Sequence, residues 1–118
     1  MITLYGYKKC GTCRKGEKFF KDNNLDYEFI DITLTPPSIE ELNKMILQTE
    51  KPIKKFFNTS GVLYREMQLK DKLKDMDTDE MIELLAANGK LIKRPLVTDG
   101  KKSTVAFNED EFKAVWLN

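Results

Sequence analysis

The chain has 118 residues, with 20 lysines and arginines against 19 aspartates and glutamates, so its formal net charge is only +1. This balance gives no overall basic field for binding nucleic acid or a membrane surface, and the length favours one domain over residues 1–118. Histidine is absent, which excludes Cys-His dyads, Ser-His-Asp triads and histidine-containing metal sites. No apolar run approaches the roughly 20 residues of a membrane span and no signal segment is recognisable, so we expect a cytoplasmic protein.

The N-terminal third predicts a β-α-β unit with a cysteine pair at its first turn. An apolar run over residues 2–6 predicts a buried strand, helical spacing follows over residues 11–24, and residues 27–32 predict a second, parallel strand. The only two cysteines, Cys10 and Cys13, lie between the first strand and the helix as C-x-x-C. This context indicates thiol–disulfide chemistry.

Residues 34–89 predict an all-helical insert. Ser38 and Glu41 form a capping-box pattern at the start of its first helix. Further helices are expected over residues 52–57, 67–76 and 77–88. We expect Asn88-Gly89 to close the last of these in the left-handed conformation.

The C-terminal part predicts a β-hairpin followed by a helix. Strands are expected over residues 95–98 and 103–107, with Asp99-Gly100 as the turn, and Asn108 caps the last helix. The order β-α-β, helical insert, β-β-α predicts an α/β, thioredoxin-like fold with a four-stranded mixed sheet. The thioredoxin-like parts are residues 1–33 and 90–118.

The position of the cysteines suggests a different role for each. A thiol must be deprotonated to attack, and the unpaired N–H groups of a helix's first turn lower its pKa. We therefore expect Cys10 to be the exposed, attacking sulfur and Cys13 the buried, resolving one, with Gly11 and Thr12 leaving room for a substrate sulfur. Local positive charge comes from Lys8, Lys9, Arg14 and Lys15.

Two other interpretations of the cysteine pair remain open. Cys10 and Cys13 could be two small residues that lie close together by chance. They could also be half of a zinc site shared across a dimer, since zinc needs four ligands. We expect neither a metal nor a cofactor.

A second feature is Arg94-Pro95, directly before the third predicted strand. In a thioredoxin-like fold this proline is expected to be cis and to face the cysteines, where it would contact substrate. Arg94 would then project toward Cys10 and either lower its pKa or hold an oxyanion or carboxylate. The alternative is a surface arginine.

Two further polar segments are interpreted as structural. The loop over residues 58–61, with Tyr64 and Arg65 after it, is composed of turn-forming residues and predicts a helix cap and turn rather than a ligand site. The lysines of residues 51–55 predict a solvated helix face. They are Lys51, Lys54 and Lys55.

With these motifs laid out, the whole chain resembles the arsenate reductase ArsC/Spx family, and most closely its small Spx-like, YusI-like members. The matching segments are residues 10–15, 36–38, 91–96 and 107–111. The resemblance implies a thioredoxin-like fold with a helical insertion and a bacterial, cytoplasmic setting.

The chain departs from both better-known branches of that family. Glutaredoxin-coupled arsenate reductases resemble it at Cys10 and Arg94, but carry serine in place of Cys13 and further arginines in place of Asn58 and Ala106. Each arginine lost removes charge-assisted hydrogen bonds worth about 1.5–3 kcal/mol, so arsenate reduction is not expected. Spx-type regulators bind the C-terminal domain of the RNA polymerase α subunit and rely on a glycine that aligns near residues 50–52, where this chain has none.

Two functional hypotheses follow. The first is a thiol–disulfide oxidoreductase in which Cys10 attacks, Cys13 resolves, and thioredoxin, glutaredoxin or a low-molecular-weight thiol re-reduces the pair. The second is an Spx-like redox-sensing regulator that binds the RNA polymerase α subunit through the surface around Arg94 and the insert. Neither hypothesis includes direct contact with nucleic acid or a membrane.

Overall fold

A computed structural model describes residues 1–117, and its strands form one four-stranded mixed sheet. The spatial order is β2-β1-β3-β4, with β1 and β2 parallel and the other neighbouring pairs antiparallel. The strands are β1 (Ile2–Gly6), β2 (Tyr27–Asp31), β3 (Leu96–Thr98) and β4 (Ser103–Val105). This topology confirms the predicted thioredoxin-like, α/β arrangement.

Six α-helices surround the sheet in the part of the chain that the structure describes. They are α1 (Gly11–Asp22), α2 (Ile39–Thr49), α3 (Val62–Glu66), α4 (Leu69–Lys72), α5 (Thr78–Ala87) and α6 (Glu109–Trp116). Short 3₁₀ turns occupy Ile53–Phe56, Leu73–Asp75 and Gly89–Leu91. Among residues 1–117, no helix is both long enough and apolar enough to cross a membrane.

The sheet is covered on both faces, which explains the nearly continuous apolar run of β1. Leu4 points to the face covered by α1 and α6, and Tyr5 points to the face covered by the helical insert. Strand neighbours alternate between faces, so one short strand contributes to both halves of the core. The first half contains Leu4, Phe19, Phe20, Val97, Phe112 and Trp116.

Local capping signals correctly predicted several helix starts. Ser38 Oγ accepts from the N–H of Glu41 at 3.1 Å, and the Glu41 carboxylate accepts from the N–H of Ser38 at 3.0 Å. Asn108 Oδ1 accepts from the N–H of Glu111 at 2.9 Å and caps α6. These caps satisfy N–H groups that have no partner within the helix.

The prediction for the middle of the insert was partly wrong. Residues 67–76 do not form one helix, because Gln68 adopts a left-handed φ of 55° and starts the short α4. Helix α3, which precedes it, was not predicted. Its five residues are too few for a hydrophobic period to be recognised.

The predicted left-handed closure at Asn88-Gly89 was also wrong. Helix α5 ends at Ala87 as expected, but Asn88 has φ −139° and Gly89 begins a 3₁₀ turn. A Cβ at residue 89 would collide with the carbonyl of Ile32, the residue after β2. Glycine is needed here because two backbones approach closely.

The hairpin is shorter than predicted on its second strand. Strand β4 ends at Val105, because Ala106 adopts a left-handed φ of 66° that takes the chain out of the sheet. The N–H of Ala106 instead donates to the carbonyl of Pro95 at 3.0 Å. The segments on either side of the hairpin are therefore held together at the edge that carries Arg94-Pro95.

Candidate active site

Cys10 occupies the position immediately before α1. Its backbone is extended (φ −82°, ψ 122°), and its carbonyl accepts the first helical hydrogen bond, from the N–H of Arg14 at 3.1 Å. The side chain is partly exposed. The unpaired N–H groups of the first helical turn therefore lie next to the sulfur, as the C-x-x-C context predicts.

The surroundings of Cys10 favour its thiolate. Partial burial raises the pKa, but hydrogen bonds from Thr12 and from the thiol and N–H of Cys13, with the nearby charge of Arg94, bring the pKa below its ordinary value. The Thr12 Oγ1 atom lies 3.1 Å from Cys10 Sγ. Of the two thiols, Cys10 is therefore the one whose surroundings favour the thiolate, the form that attacks a disulfide.

Cys13 differs from Cys10 both in the exposure of its side chain and in the direction of its pKa shift. Its side chain is completely buried, and burial raises its pKa to about 12, although a hydrogen bond from the N–H of Tyr7 (3.5 Å to Sγ) acts in the other direction. A Cβ on Gly6 would lie 2.9 Å from the Cys13 sulfur. The glycine that ends β1 therefore leaves the space that this sulfur occupies.

Arg94-Pro95 lies beside the cysteines, and the predicted cis peptide bond between them is confirmed. Thr12 Oγ1 donates to the carbonyl of Arg94 at 3.3 Å, which ties the segment to the start of α1. Pro95 Cγ lies only 3.4 Å from where a Cβ on Gly16 would stand. Gly16 thus marks a close contact between α1 and the Pro95 ring.

The Arg94 side chain is half-buried and not a remote surface group. Its guanidinium lies 5.9 Å from the centroid of the Tyr7 ring, within the range of a cation–π contact. Its charge is a minor cause that lowers the pKa values of Cys10 and Asp31. These contacts place Arg94 near the cysteine pair, and its role in catalysis stays a prediction.

The structure also shows the surroundings of two other residues that the sequence analysis considered, Gly11 and Asn58. Gly11 is exposed, and a Cβ there would meet nothing within 4 Å, so open space lies next to Cys10. Asn58 forms a turn with Gly61, whose N–H donates to the Asn58 carbonyl at 3.1 Å. Among residues 1–117, no group of three cysteine, aspartate or glutamate side chains could hold a metal ion.

Sequence reasoning missed a buried carboxylate, Glu17, that contacts Lys8 in the loop before Cys10. Glu17 accepts from Tyr27 Oη at 2.8 Å and lies 3.5 Å from Lys8 Nζ, which also stands 4.1 Å from the centroid of the Phe29 ring. Glu17 is only 8% exposed. A glutamate four residues after Cys13 was the available signal, because i and i+4 side chains share a helix face.

Comparison with known proteins agrees with this geometry. The family model described as the ArsC family matches residues 5–115. The chain belongs to the ArsC family. The family match covers both the cysteine pair and the Arg94-Pro95 segment.

Individual ArsC-family relatives span nearly the whole chain. YusI of Bacillus subtilis is 51% identical over 115 residues, covering 98% of each chain. A global transcriptional regulator Spx from Enterococcus faecalis is 28% identical, covering 96% of this chain and 84% of the regulator. The crystal structure of an ArsC family related protein from Bacteroides fragilis superposes with a TM-score of 0.92 at 42% identity, covering 96% of this chain and 95% of that one.

Proposed function

We propose that this ArsC-family protein is a thiol–disulfide oxidoreductase that uses Cys10 and Cys13 as its redox pair. The observation that carries the proposal is the contrast within the pair. A partly exposed thiol with a lowered pKa contacts a fully buried thiol whose pKa is raised to about 12. This contrast separates an attacking sulfur from a resolving one.

The proposed reaction balances two electrons and two protons. The Cys10 thiolate attacks a substrate disulfide, forms a mixed disulfide and releases one substrate thiolate. Cys13 then loses its proton to that thiolate and attacks the Cys10 sulfur, which forms the Cys10–Cys13 disulfide and releases the second thiolate. The second thiolate takes the proton that Cys10 lost to solvent. An external thiol reductant (thioredoxin, glutaredoxin or a small thiol) returns both electrons.

The neighbouring residues would assist in distinct ways. Thr12 and Arg94 stabilise the Cys10 thiolate through a hydrogen bond and a positive charge. Gly11 borders the open space through which a substrate sulfur would approach, and Pro95 packs against α1 next to it. Arsenate is not the proposed substrate, because Ala106, beside Pro95, supplies no arginine for the oxyanion.

The test follows release of thiopyridone from the uncharged reagent dithiodipyridine. Reduced wild-type protein should release two equivalents and end as the intramolecular disulfide. Cys13→Ser should release one equivalent and stop at the mixed disulfide, while Cys10→Ser should react slowly because its one thiol is buried. A Cys10→Ser variant that reacts as fast as wild type would overturn the proposal.

A second candidate is a redox-sensing transcriptional regulator in the cytoplasm. It is favoured by the Spx relatives and by Glu50, whose left-handed φ of 58° is the conformation that favours glycine. The segment around residues 50–52 therefore has the backbone shape for which the polymerase-binding members would use a glycine. Recovery of RNA polymerase α subunit on the oxidised protein, and not on the reduced one, would support this function. Equal recovery or none would exclude it.

A further inference from the structure

A groove of about 630 Å³ lies beside the Arg94-Pro95 segment. Four lysines line it, together with the buried ring of Phe57 and the backbone turn at Ala106. The lysines are Lys51, Lys54, Lys55 and Lys93. Lys93 comes from a different part of the chain than the other three, so the fold creates this concentration of charge.

The groove carries positive charge that the protein does not neutralise. Lys51 pairs with Glu111 at 2.8 Å, whereas Lys54, Lys55 and Lys93 have no ion pair within residues 1–117. No aspartate or glutamate lines the groove. In a chain whose net charge is only +1, such a cluster is a local feature that an anion would stabilise.

The groove is connected to Cys10 by a short series of contacts. Lys93 directly precedes Arg94, and the N–H of Ala106 donates to the Pro95 carbonyl at 3.0 Å. The Arg94 carbonyl accepts from Thr12 Oγ1 at 3.3 Å, and that hydroxyl lies 3.1 Å from the Cys10 sulfur. The lining of the groove is therefore joined to the reactive thiol through the Arg94-Pro95 segment and Thr12.

The backbone that carries Lys93 is fixed. Its N–H donates to the Phe56 carbonyl at 2.7 Å, and the preceding Ile92 pairs with Phe57 in an isolated antiparallel bridge. Ala106, which also lines the groove, holds a left-handed φ of 66°, a costly conformation of the kind found at binding sites. The volume falls within the range of about 300–1,000 Å³ typical of small-molecule sites.

We propose that this lysine groove binds the carboxylates of a small disulfide whose sulfur reacts with Cys10, and so selects polycarboxylate thiols as substrates. The inference rests on the oxidoreductase function proposed above. Lysine ammonium groups are compact point charges that suit single carboxylates without the bidentate geometry of arginine. The exposed Pro52, beside the buried Phe57 and Val105, provides apolar lining for the ligand's carbon skeleton.

The test compares two chromogenic disulfides that differ in charge. Dithiobis(nitrobenzoate) carries two carboxylates, and dithiodipyridine carries none. In the triple variant Lys54→Gln, Lys55→Gln, Lys93→Gln, the second-order rate with the dicarboxylate should fall roughly tenfold, whereas the rate with dithiodipyridine should change less than about twofold. The matched control is Lys70→Gln, Lys72→Gln, Lys74→Gln, which removes the same charge from exposed positions of the insert.

The outcomes separate this inference from the proposed function. A fall in rate that is seen only with the dicarboxylate, and only in the groove variant, supports the proposal that the groove binds carboxylates. Equal losses of the dicarboxylate rate in both triple variants would show only a general charge effect, and an unchanged rate in both would show that the groove does not bind the dicarboxylate. Either result would overturn the groove proposal. The rate with dithiodipyridine would still test the proposed redox pair independently. Binding of dithiobis(propionate) to a Cys10→Ser, Cys13→Ser protein by calorimetry measures the groove without turnover, and no binding overturns it.

Discussion

At the scale of single residues, the hydroxyl of Thr12 links the two halves of the proposed redox site, the cysteine pair and the Arg94-Pro95 segment. It lies 3.1 Å from Cys10 Sγ and 3.3 Å from the Arg94 carbonyl. A hydroxyl has one proton to donate. The Thr12 hydroxyl can therefore donate to the Arg94 carbonyl or to the Cys10 sulfur, but not to both at once. We expect it to donate to the sulfur when Cys10 is a thiolate, because the charged acceptor forms the stronger hydrogen bond.

This arrangement predicts that Thr12→Val raises the pKa of Cys10. The shift should be about one unit, since a hydrogen bond to a charged group contributes about 1.5 kcal/mol and one pKa unit corresponds to about 1.4 kcal/mol. Thr12 is exposed, so the change leaves the core intact. The measurement is the pH dependence of Cys10 alkylation by iodoacetamide.

Thr12→Ser is the control, because it keeps the hydroxyl and should keep the low pKa. An alkylation profile for Thr12→Val that matches that of Thr12→Ser would contradict the role of this hydrogen bond.

At the scale of elements, the sequence signals that succeeded were local ones. The reciprocal cap of Ser38 and Glu41 lies within one turn of backbone, so its residues are adjacent in any fold that starts a helix there. The need for glycine at residue 89 could not be predicted from such a local signal. Glycine is required there because the carbonyl of Ile32, more than fifty positions earlier in the chain, packs against residue 89 in the folded protein.

Gly89→Ala should therefore destabilise the protein markedly. The added methyl group would collide with the carbonyl of Ile32, and backbone atoms cannot yield as a flexible side chain can. Overpacking of this kind typically costs about 1–3 kcal/mol of unfolding free energy. Urea denaturation of the reduced protein measures the loss.

Gly11→Ala is the matched control for this substitution. A Cβ at residue 11 meets nothing within 4 Å, and alanine favours helix by up to about 1 kcal/mol relative to glycine. We expect this control to be neutral or slightly stabilising. If Gly89→Ala unfolds at the same urea concentration as Gly11→Ala, the close approach is not a constraint.

At the scale of the whole molecule, the cysteine half of the site followed from the sequence and the lysine half did not. Cys10 and Cys13 lie at the turn of one β-α-β unit, so local order fixes their positions relative to α1. Lys51, Lys54 and Lys55 were interpreted as a solvated helix face. Only the packing of the insert beside the Arg94-Pro95 segment brings Lys93 to the same groove.

The buried Cys13 thiol also makes global stability depend on pH. Its pKa is about 12 in the folded protein against an ordinary value of 9.0, so between about pH 9 and 12 the unfolded chain loses a proton that the folded chain keeps. Unfolding is then favoured as the pH rises. The contribution of Cys13 to stability is complete below about pH 9 and is lost progressively above it, by up to about 1.4 kcal/mol per pH unit.

Comparison with Cys13→Ala isolates this effect, because every other titrating group is present in both proteins. The raised pKa of Tyr27 then cancels in the difference. The pKa of Cys10 does not cancel, because the Cys13 thiol helps to lower it, so the Cys10 profile in Cys13→Ala is measured separately by iodoacetamide alkylation. Urea unfolding at a series of alkaline pH values, under reducing conditions, should show wild type losing stability faster than the variant. Parallel pH dependences would mean that the Cys13 thiol ionises as readily in the folded protein as in the unfolded one, and the assignment of Cys13 as the buried, protonated partner of Cys10 would then fail.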